Sequence, residues 1–382
     1  MTPVSDAAAR LATRVLFLVA GFGYSCWAPL IPLTKARLGI DEHVLGLLLL
    51  CIGVGSIMAM ALTGALAVRY GTRPLLIVSG FGFALALAVL PLAASVPMLG
   101  LNLLAFGATL GALDVAMNMH AVEVEKRSGA TLMSGFHALF SVGGFAGSAV
   151  MTLLLSRQLA TLPATLLCGA VMVLGMLLAT PRILRDGAST GGTMFALPRG
   201  LVLGIALLTC ITFLVEGALL DWGALLLTER GLFALEQAGS GYIVFSIAMT
   251  VARFSGDYVA TRLGDQRTLL IGGVIALAGF AVLLTAATAT LALAGFGLIG
   301  LGCANIVPVL FRRGANQQVM PAGLAIAAIS TTAYAGILVG PACIGFIAQQ
   351  VGLSHAFWLL AALLACVPCS ALWLVRARPA AA

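Results

Sequence analysis

Twelve apolar stretches fill most of this chain, and nearly all of them are long enough to cross a lipid bilayer. A membrane-spanning helix needs about 20 mostly apolar residues. The chain has 382 residues, of which 61% are hydrophobic and 9% charged, and its mean hydropathy is +1.12. A water-soluble domain carries nearer a quarter charged residues. The sequence therefore predicts a membrane protein with little chain left for soluble domains.

The length of the apolar stretches, together with their lack of two-residue alternation, predicts helices rather than a β-barrel. The predicted spans are 12–35, 44–67, 75–95, 98–122, 132–156, 161–180, 200–227, 237–260, 268–288, 290–311, 319–348 and 353–376. The 45 glycines suit such a fold, because small residues let membrane helices approach closely. The expected fold class is an all-α membrane protein with twelve spans.

The loop charges predict the orientation in the membrane. Arg253 lies inside a span, one side of the membrane receives only Lys35, Arg37, Arg157 and Arg230, and all other Lys and Arg residues fall on the opposite side. Positive loop residues accumulate on the cytoplasmic side, so both termini are expected there. The same scatter of basic residues over short loops argues against nucleic-acid binding, despite a net charge of +7.

Neither a metal nor a cofactor is expected. All 8 cysteines fall within predicted spans. Cys366 and Cys369 have the spacing of metal ligands, but they lie near the end of an apolar helix without His or acidic neighbours. The sequence has no phosphate-binding loop of the Gly-x-x-x-x-Gly-Lys type, so ATP-driven transport would need another subunit.

The longest polar interruption divides the spans six and six. Residues 181–199 are rich in Gly, Ser and Thr and are predicted to form a cytoplasmic linker between an N-terminal bundle, 1–180, and a C-terminal bundle, 200–382. The segment 64–73 after span 2 is echoed by 257–267 after span 8, an offset of 193 residues. Two six-span halves in the same orientation are typical of transporters that alternate around a site near the bilayer midplane.

The loop after span 2 carries a recognisable pattern. Its residues, Gly64-x-Leu66-Ala67-x-Arg69-x-Gly71-x-Arg73, resemble the signature of the major facilitator superfamily, with Val68 in place of the usual Asp and Thr72 in place of one basic residue. Glycine permits a tight turn here, and Arg69 and Arg73 are placed to meet acidic groups or helix C-terminal carbonyls of a neighbouring span. Such contacts would hold the cytoplasmic side of the protein closed. Alternatively, the arginines serve only to set the orientation of the spans in the membrane.

Further segments are similar to a bacterial inner-membrane subgroup related to fucose–proton symporters. They are Trp27-Ala28-Pro29-Leu30-Ile31-Pro32, Asp114-Val115-Ala116-Met117-Asn118, Ser134-Gly135-Phe136-His137 and Glu216-Gly217-Ala218-x-x-Asp221-Trp222. The resemblance implies the two-bundle fold of this superfamily, a location in the inner membrane and transport of a small solute. It does not supply the substrate.

Asp114 is the leading candidate for proton coupling. It lies about 25 Å along span 4 at 1.5 Å per residue, where a charge costs at least about 2.5 kcal/mol. A carboxyl group there is suited to binding and releasing a proton. Asn118 shares its helix face, and the pair resembles the Glu-x-x-x-Asn of fucose–proton symporters, whose acid takes the coupled proton. A second acid of those symporters, in span 1, is missing here, where only Tyr24, Ser25 and Trp27 are available.

Other polar residues in the spans are candidates for solute binding. His137 in span 5 lies at the depth of Asp114 and either relays a proton, binds solute or only bonds across helices. Glu216 in span 7 either contacts solute or has a structural partner. Asn305 in span 10 is a further candidate solute ligand. These residues are expected to face a water-filled cavity between the halves, and if they do not, the aromatics Tyr24, Trp27, Tyr242 and Tyr334 are expected to form the site.

Three charged residues of the second half are predicted to act in gating or structure. Arg253 and Asp257 are oppositely charged and four residues apart in span 8, so each can neutralise the other within the helix. Alternatively, Arg253 faces the cavity and contacts the solute, which would favour an anionic substrate. Asp221, next to Trp222, lies near the periplasmic edge of span 7 and is expected to be a gate or an interfacial anchor.

The preferred hypothesis is a monomeric secondary transporter, not an enzyme, that uses protons to take up a small polar organic solute, sugar-like or an organic acid. Its partners are then the bilayer, the solute and protons. Proton-antiport efflux of drugs or metabolites is an alternative, although span 5 lacks the Gly-Pro pair usual in drug–proton antiporters of the superfamily. A sensor without net transport is a third hypothesis. An enzyme is disfavoured because the spans contain no convincing metal cluster or nucleophile–base pair.

Overall fold

The all-α fold class is confirmed. A computed structural model of the chain describes residues 4–128, 132–184, 197–320 and 322–373, and within these ranges it has no strand. The α-helices are α1 (Asp6–Ser25), α2 (Leu30–Leu38), α3 (Glu42–Tyr70), α4 (Thr72–Val89), α5 (Val96–Ser128), α6 (Met133–Ser156), α7 (Thr161–Ala179), α8 (Leu201–Asp221), α9 (Gly223–Glu229), α10 (Ser240–Phe254), α11 (Gly256–Thr285), α12 (Ala289–Cys303), α13 (Ile306–Asn316), α14 (Ala322–Val351), α15 (Leu353–Leu364) and α16 (Cys366–Trp373). Short 3-10 turns occupy Leu90–Leu92, Thr180–Arg182 and Leu235–Gln237.

The helix pattern is consistent with twelve spans. In the described ranges, 11 helical segments are long and apolar enough to cross a membrane. The remaining predicted span, 237–260, corresponds to α10, which has only 15 residues, and to the first part of α11 before its kink at Gly264. Most of the predicted linker, residues 185–196, lies outside the described residues, as do the side-chain positions at 64 and 257. The roles predicted for Gly64 and Asp257 therefore stay predictions.

Four other predicted spans, expected as single helices, are divided by short breaks. Span 1 is divided between α1 and α2, span 7 between α8 and α9, span 10 between α12 and α13, and span 12 between α15 and α16. Pro29 precedes α2, and Pro308 and Pro368 each occupy the third position of a new helix. Proline interrupts a continuous helix but is tolerated in a first turn, where backbone N–H groups have no intrahelical acceptor.

The chain divides into two compact units. The first comprises Met1–Gly192 together with Ala234–Ser240, and the second comprises Thr193–Phe233 and Gly241–Ala382. In the first unit α1 packs on α6 and α3 packs on α5, and in the second α8 packs on α14 and α11 packs on α12. A side chain at Gly107 in α5 would overlap the backbone of Ile52 in α3, so glycine is what allows this close packing.

The two units share one backbone detail at equivalent positions. Gly71, between α3 and α4, has φ 76° and ψ 171°, and Gly264, which is 193 residues further along, has φ 76° and ψ 164°. Only glycine adopts this conformation without strain. The tight turn expected at Gly71 is therefore present, and the sequence repeat corresponds to a repeat of backbone geometry.

Candidate functional site

Asp114 and Asn118 lie on the same face of α5 and are joined by a hydrogen bond. The Asn118 Nδ2 group donates to Asp114 Oδ1 at 3.3 Å and to the Asp114 backbone carbonyl oxygen at 2.9 Å. Both side chains are half-buried. The amide therefore helps to orient the carboxyl group, whose oxygen atoms can bind a proton or accept a hydrogen bond from a hydroxyl group.

His137 lies near the start of α6 and contacts α1. Its ring packs edge-to-face on the Phe17 ring, with 5.1 Å between the ring centroids. The His137 side chain is exposed, whereas Phe17 is fully buried. The aromatic contact fixes the ring position, and the exposed edge leaves the imidazole accessible to a solute or a proton.

The aromatic candidates occupy different environments. Tyr24 and Tyr242 are half-buried, and Tyr334 is 40% exposed. Tyr334 packs edge-to-face on Phe213 of α8, and Tyr242 packs on Phe245 of its own helix. Trp27, unlike these three residues, is almost fully buried.

Trp27 is only 1% exposed and lies at the break between α1 and α2. It lines a small cleft of the first unit together with Thr34, Arg37 and Leu90. Its indole Nε1 has no hydrogen-bond partner among the described residues.

His120 is a residue whose role sequence analysis missed. Near the cytoplasmic end of span 4 a polar side chain can be solvated at the membrane interface, but the His120 side chain is only 1% exposed, so solvation does not account for it. The Leu184 backbone N–H donates to His120 Nε2 at 3.0 Å, and His120 Nδ1 lies 3.1 Å from Thr13 Oγ1. The ring proton is therefore assigned to Nδ1, which donates to Thr13, while the Thr13 hydroxyl donates to the Ala9 carbonyl oxygen. This chain of hydrogen bonds ties α1, α5 and the end of the first six spans together.

Replacing His120 with Leu should lower the stability of the protein. The substitution leaves the buried Leu184 N–H without an acceptor, which costs about 1 to 3 kcal/mol. We expect a lower melting temperature for the purified protein in detergent. The matched control is His355→Leu, since His355 is exposed and should tolerate the change. Equal melting temperatures for wild type and His120→Leu would show that the hydrogen bonds carry little stability.

Glu216 of α8 and Arg253 of α10 form an ion pair in the second unit. Arg253 Nη2 lies 3.5 Å from Glu216 Oε1, and the two side chains are 34% and 21% exposed, respectively. Arg253 Nε also donates to the carbonyl oxygen of Ala304, at the C-terminal end of α12, where a cation is favoured. Arg253 was predicted to pair with Asp257, whose side chain lies outside the described residues. That pairing therefore stays a prediction, and the described partner of Arg253, Glu216, belongs to another helix.

Asn305 lies beside this ion pair, at the break between α12 and α13. Its Nδ2 group is 3.5 Å from the Ala252 carbonyl oxygen in α10. Its amide packs against Gly256, where a side chain would overlap it. The structure therefore brings Glu216, Arg253 and Asn305 together, and they offer hydrogen-bond donors and acceptors within one region of the second unit.

The loop arginines of the family signature have no acidic partner among the described residues. The Arg69 guanidinium lies 5.2 Å from the centroid of the Tyr70 ring, and buried Arg73 Nε has no hydrogen-bond partner within the described ranges. In the second unit the matching loop has an acid instead: Asp265 pairs with both Arg312 and Arg313 of α13. Asp265 stands in the repeat that sequence analysis identified, but nothing in the sequence indicated its partners.

Comparison with known proteins identifies the family. The profile of the Major Facilitator Superfamily matches residues 15–313, so the chain belongs to this superfamily of membrane transporters. An uncharacterized MFS-type transporter of Yersinia pestis is 45% identical over 363 residues, covering 95% of this chain and 94% of the relative. An uncharacterized transporter of Sinorhizobium fredii is 33% identical, covering 90% and 92%. A chloramphenicol resistance protein of Streptomyces lividans is 28% identical, covering 88% of each chain.

Solved transporter structures share the fold. A D-xylose–proton symporter superposes with a TM-score of 0.78 at 14% identity, covering 97% of this chain and 98% of the other. The nucleoside transporter NupG superposes with a TM-score of 0.75 at 14% identity, covering 97% and 100%. These structures show the shared fold, while the family profile and the relatives identify the protein as an integral membrane transporter. The polar residues of its spans are therefore candidates for solute recognition.

Proposed function

We propose that the protein is a secondary transporter that couples protons to the uptake of a small polar organic solute by alternating access. The observation that supports this most directly is the carboxyl group of Asp114, held by Asn118 within an apolar helix. A titratable group in a membrane span costs free energy, so such groups are rare there and mostly serve a function. The proposal also includes two six-helix halves, 1–180 and 200–382, a linker at 181–199 and a monomeric state.

The proposed solute carries several hydroxyl groups or a carboxylate. Two groups of polar residues are available for it: Asn118 and His137 in the first unit, and Glu216, Arg253 and Asn305 in the second. Carboxylate oxygens accept hydrogen bonds from hydroxyls, guanidinium donates to hydroxyl or carboxylate oxygens, and amides do both. Sugar-like molecules and organic acids fit this combination.

The test begins with a thermal-shift screen of the purified protein against sugars, organic acids and drugs, because a ligand of the folded state raises its apparent stability. The hit is then offered to proteoliposomes with an imposed proton gradient. We expect accumulation inside when protons flow inward, and its loss when a protonophore removes the gradient. Solute accumulation that is the same with and without the proton gradient would contradict proton coupling.

Proton-driven efflux is the second candidate function, because one relative is a chloramphenicol resistance protein. Expression in a host without its own drug exporters separates the two functions. Efflux predicts increased resistance of the host to chloramphenicol. In proteoliposomes it predicts that the drug moves in the direction opposite to the proton flow. Uptake predicts unchanged resistance.

The proposed orientation in the bacterial inner membrane places both termini in the cytoplasm. Cysteine at position 157 or 230 should then react with an impermeant thiol reagent in intact cells, whereas cysteine at 127 or 313 should react only after permeabilisation. The unsubstituted chain serves as the control for its 8 native cysteines. Labelling of position 127 or 313 in intact cells would overturn this topology.

A further inference from the structure

Asp221 is a buried acid at the C-terminal end of α8. Its side chain is 4% exposed, and among the described residues no group donates a hydrogen bond to its Oδ1 atom. It forms no ion pair within those residues. The adjoining Trp222 is fully buried, and its Nε1 group likewise has no partner. Two neighbouring residues therefore direct unpaired polar atoms into the interior of the protein.

The helix ends around Asp221 supply no net compensation for a negative charge. Asp221 is the last residue of α8 and α9 begins at Gly223, so the negative end of one helix dipole and the positive end of the next oppose each other here. The next residue after Trp222 is Gly223, where a side chain would lie 3.1 Å from the Phe296 ring. Phe296 is fully buried, so an apolar ring packs against this turn.

The charged residues near α8 have other partners. The helices packed against α8 include α9, α13, α14 and α15. On α8 itself Glu216 binds Arg253, and Arg312 and Arg313 of α13 bind Asp265. Arg230, just after α9, donates to the backbone carbonyl oxygens of Leu283 and Ala286. His355 of α15 contacts the Val351 carbonyl oxygen, and Glu229 has contacts of its own.

We infer that Asp221 binds a proton in this conformation and is a second proton-carrying group of the transporter, in addition to Asp114. Burying an ionised carboxylate without a cation costs several kcal/mol, whereas the protonated carboxylic acid has no charge to desolvate. Proton binding converts the carboxylate to the acid without any other reactant. When the conformation changes and water reaches Asp221, the acid can release the proton. The coupling role rests on the proposed function.

Infrared spectroscopy tests the protonation directly, without a solute. The C=O stretch of a protonated carboxyl group is separate from that of a carboxylate. We expect the wild-type protein at neutral pH to show such a band, and Asp221→Asn to lose one carboxyl group's share of it. The control is Asp6→Asn, since Asp6 is exposed in the first turn of α1 and should not change the band.

Asp221→Glu keeps the test informative if the Asn variant does not fold, because the band should move instead of disappearing. A band that is the same in wild type, Asp221→Asn and Asp221→Glu would overturn the inference.

Proteoliposomes test the coupling role. We expect Asp221→Asn to reduce gradient-driven accumulation to the level reached by equilibration, while exchange of solute across the membrane persists. If the wild type couples and Asp221→Asn couples equally well, the inference fails and the proposed function stands. If the wild type does not respond to the gradient, both fail.

Discussion

Replacing Asp114 with Asn should abolish the accumulation of solute against its gradient. Asn keeps the size and the hydrogen-bonding capacity next to Asn118 but cannot take up a proton. We expect a proton gradient to have no effect on this variant, while exchange of solute between the two sides of the membrane continues. The measurement is uptake of labelled solute by proteoliposomes with and without an imposed gradient.

Two variants complete this experiment. Asp114→Glu retains an acid and should keep at least part of the coupling. Asp6→Asn changes an exposed acid outside the apolar part of α1 and should behave as the wild type. If Asp114→Asn still concentrates solute in response to the gradient, the coupled proton travels elsewhere, and Asp221 and Glu216 become the next candidates.

Separating Glu216 from Arg253 should have the second largest effect. Glu216→Gln or Arg253→Gln alone leaves one charge in the second unit without its partner. Breaking an exposed ion pair costs about 0 to 1 kcal/mol of stability, and removing one partner of a fully buried pair costs about 3 to 5 kcal/mol. This pair is half-buried, so we expect each single variant to lose about 1 to 3 kcal/mol of stability. The melting temperature of each single variant should fall, and solute binding should weaken.

The double variant Glu216→Gln/Arg253→Gln distinguishes a structural role from solute binding. Two neutral amides can bond to each other, so we expect the melting temperature to recover while solute binding remains weak. Glu123 and Arg127 supply the matched control, because they form an exposed pair on one helix at 3.1 Å whose loss should cost less than about 0.5 kcal/mol. Normal solute binding by the double variant would show that the pair only holds helices together.

Much of the fold could be predicted from apolar length alone. The hydrocarbon core admits only helices or closed barrels, and the lengths of the apolar stretches matched most of the observed helices. The interruptions were harder to predict, because proline is compatible with a continuous span, as Pro341 within α14 shows. Proline therefore did not reveal which spans consist of two helices.

In the candidate sites, too, contacts between neighbours on one helix could be predicted and contacts between distant residues could not. The bond between Asp114 and Asn118 followed from their spacing, since residues four apart on a helix are neighbours. The Glu216–Arg253 pair joins residues 37 positions apart, and His120 joins Thr13 at a separation of 107 and Leu184 at 64. No local pattern encodes such contacts.

By itself the sequence determined the all-helical class, the approximate spans, the repeated loop and the helical neighbours of Asp114, because bilayer thickness and helix periodicity act on consecutive residues. Only the tertiary structure decided that Arg253 meets Glu216, that His120 is buried between α1 and the end of the first six spans, and that the buried Asp221 has no hydrogen-bond donor to its Oδ1 atom among the described residues. Those outcomes depend on which helix faces pack together, and packing is set by the shapes of many distant side chains at once.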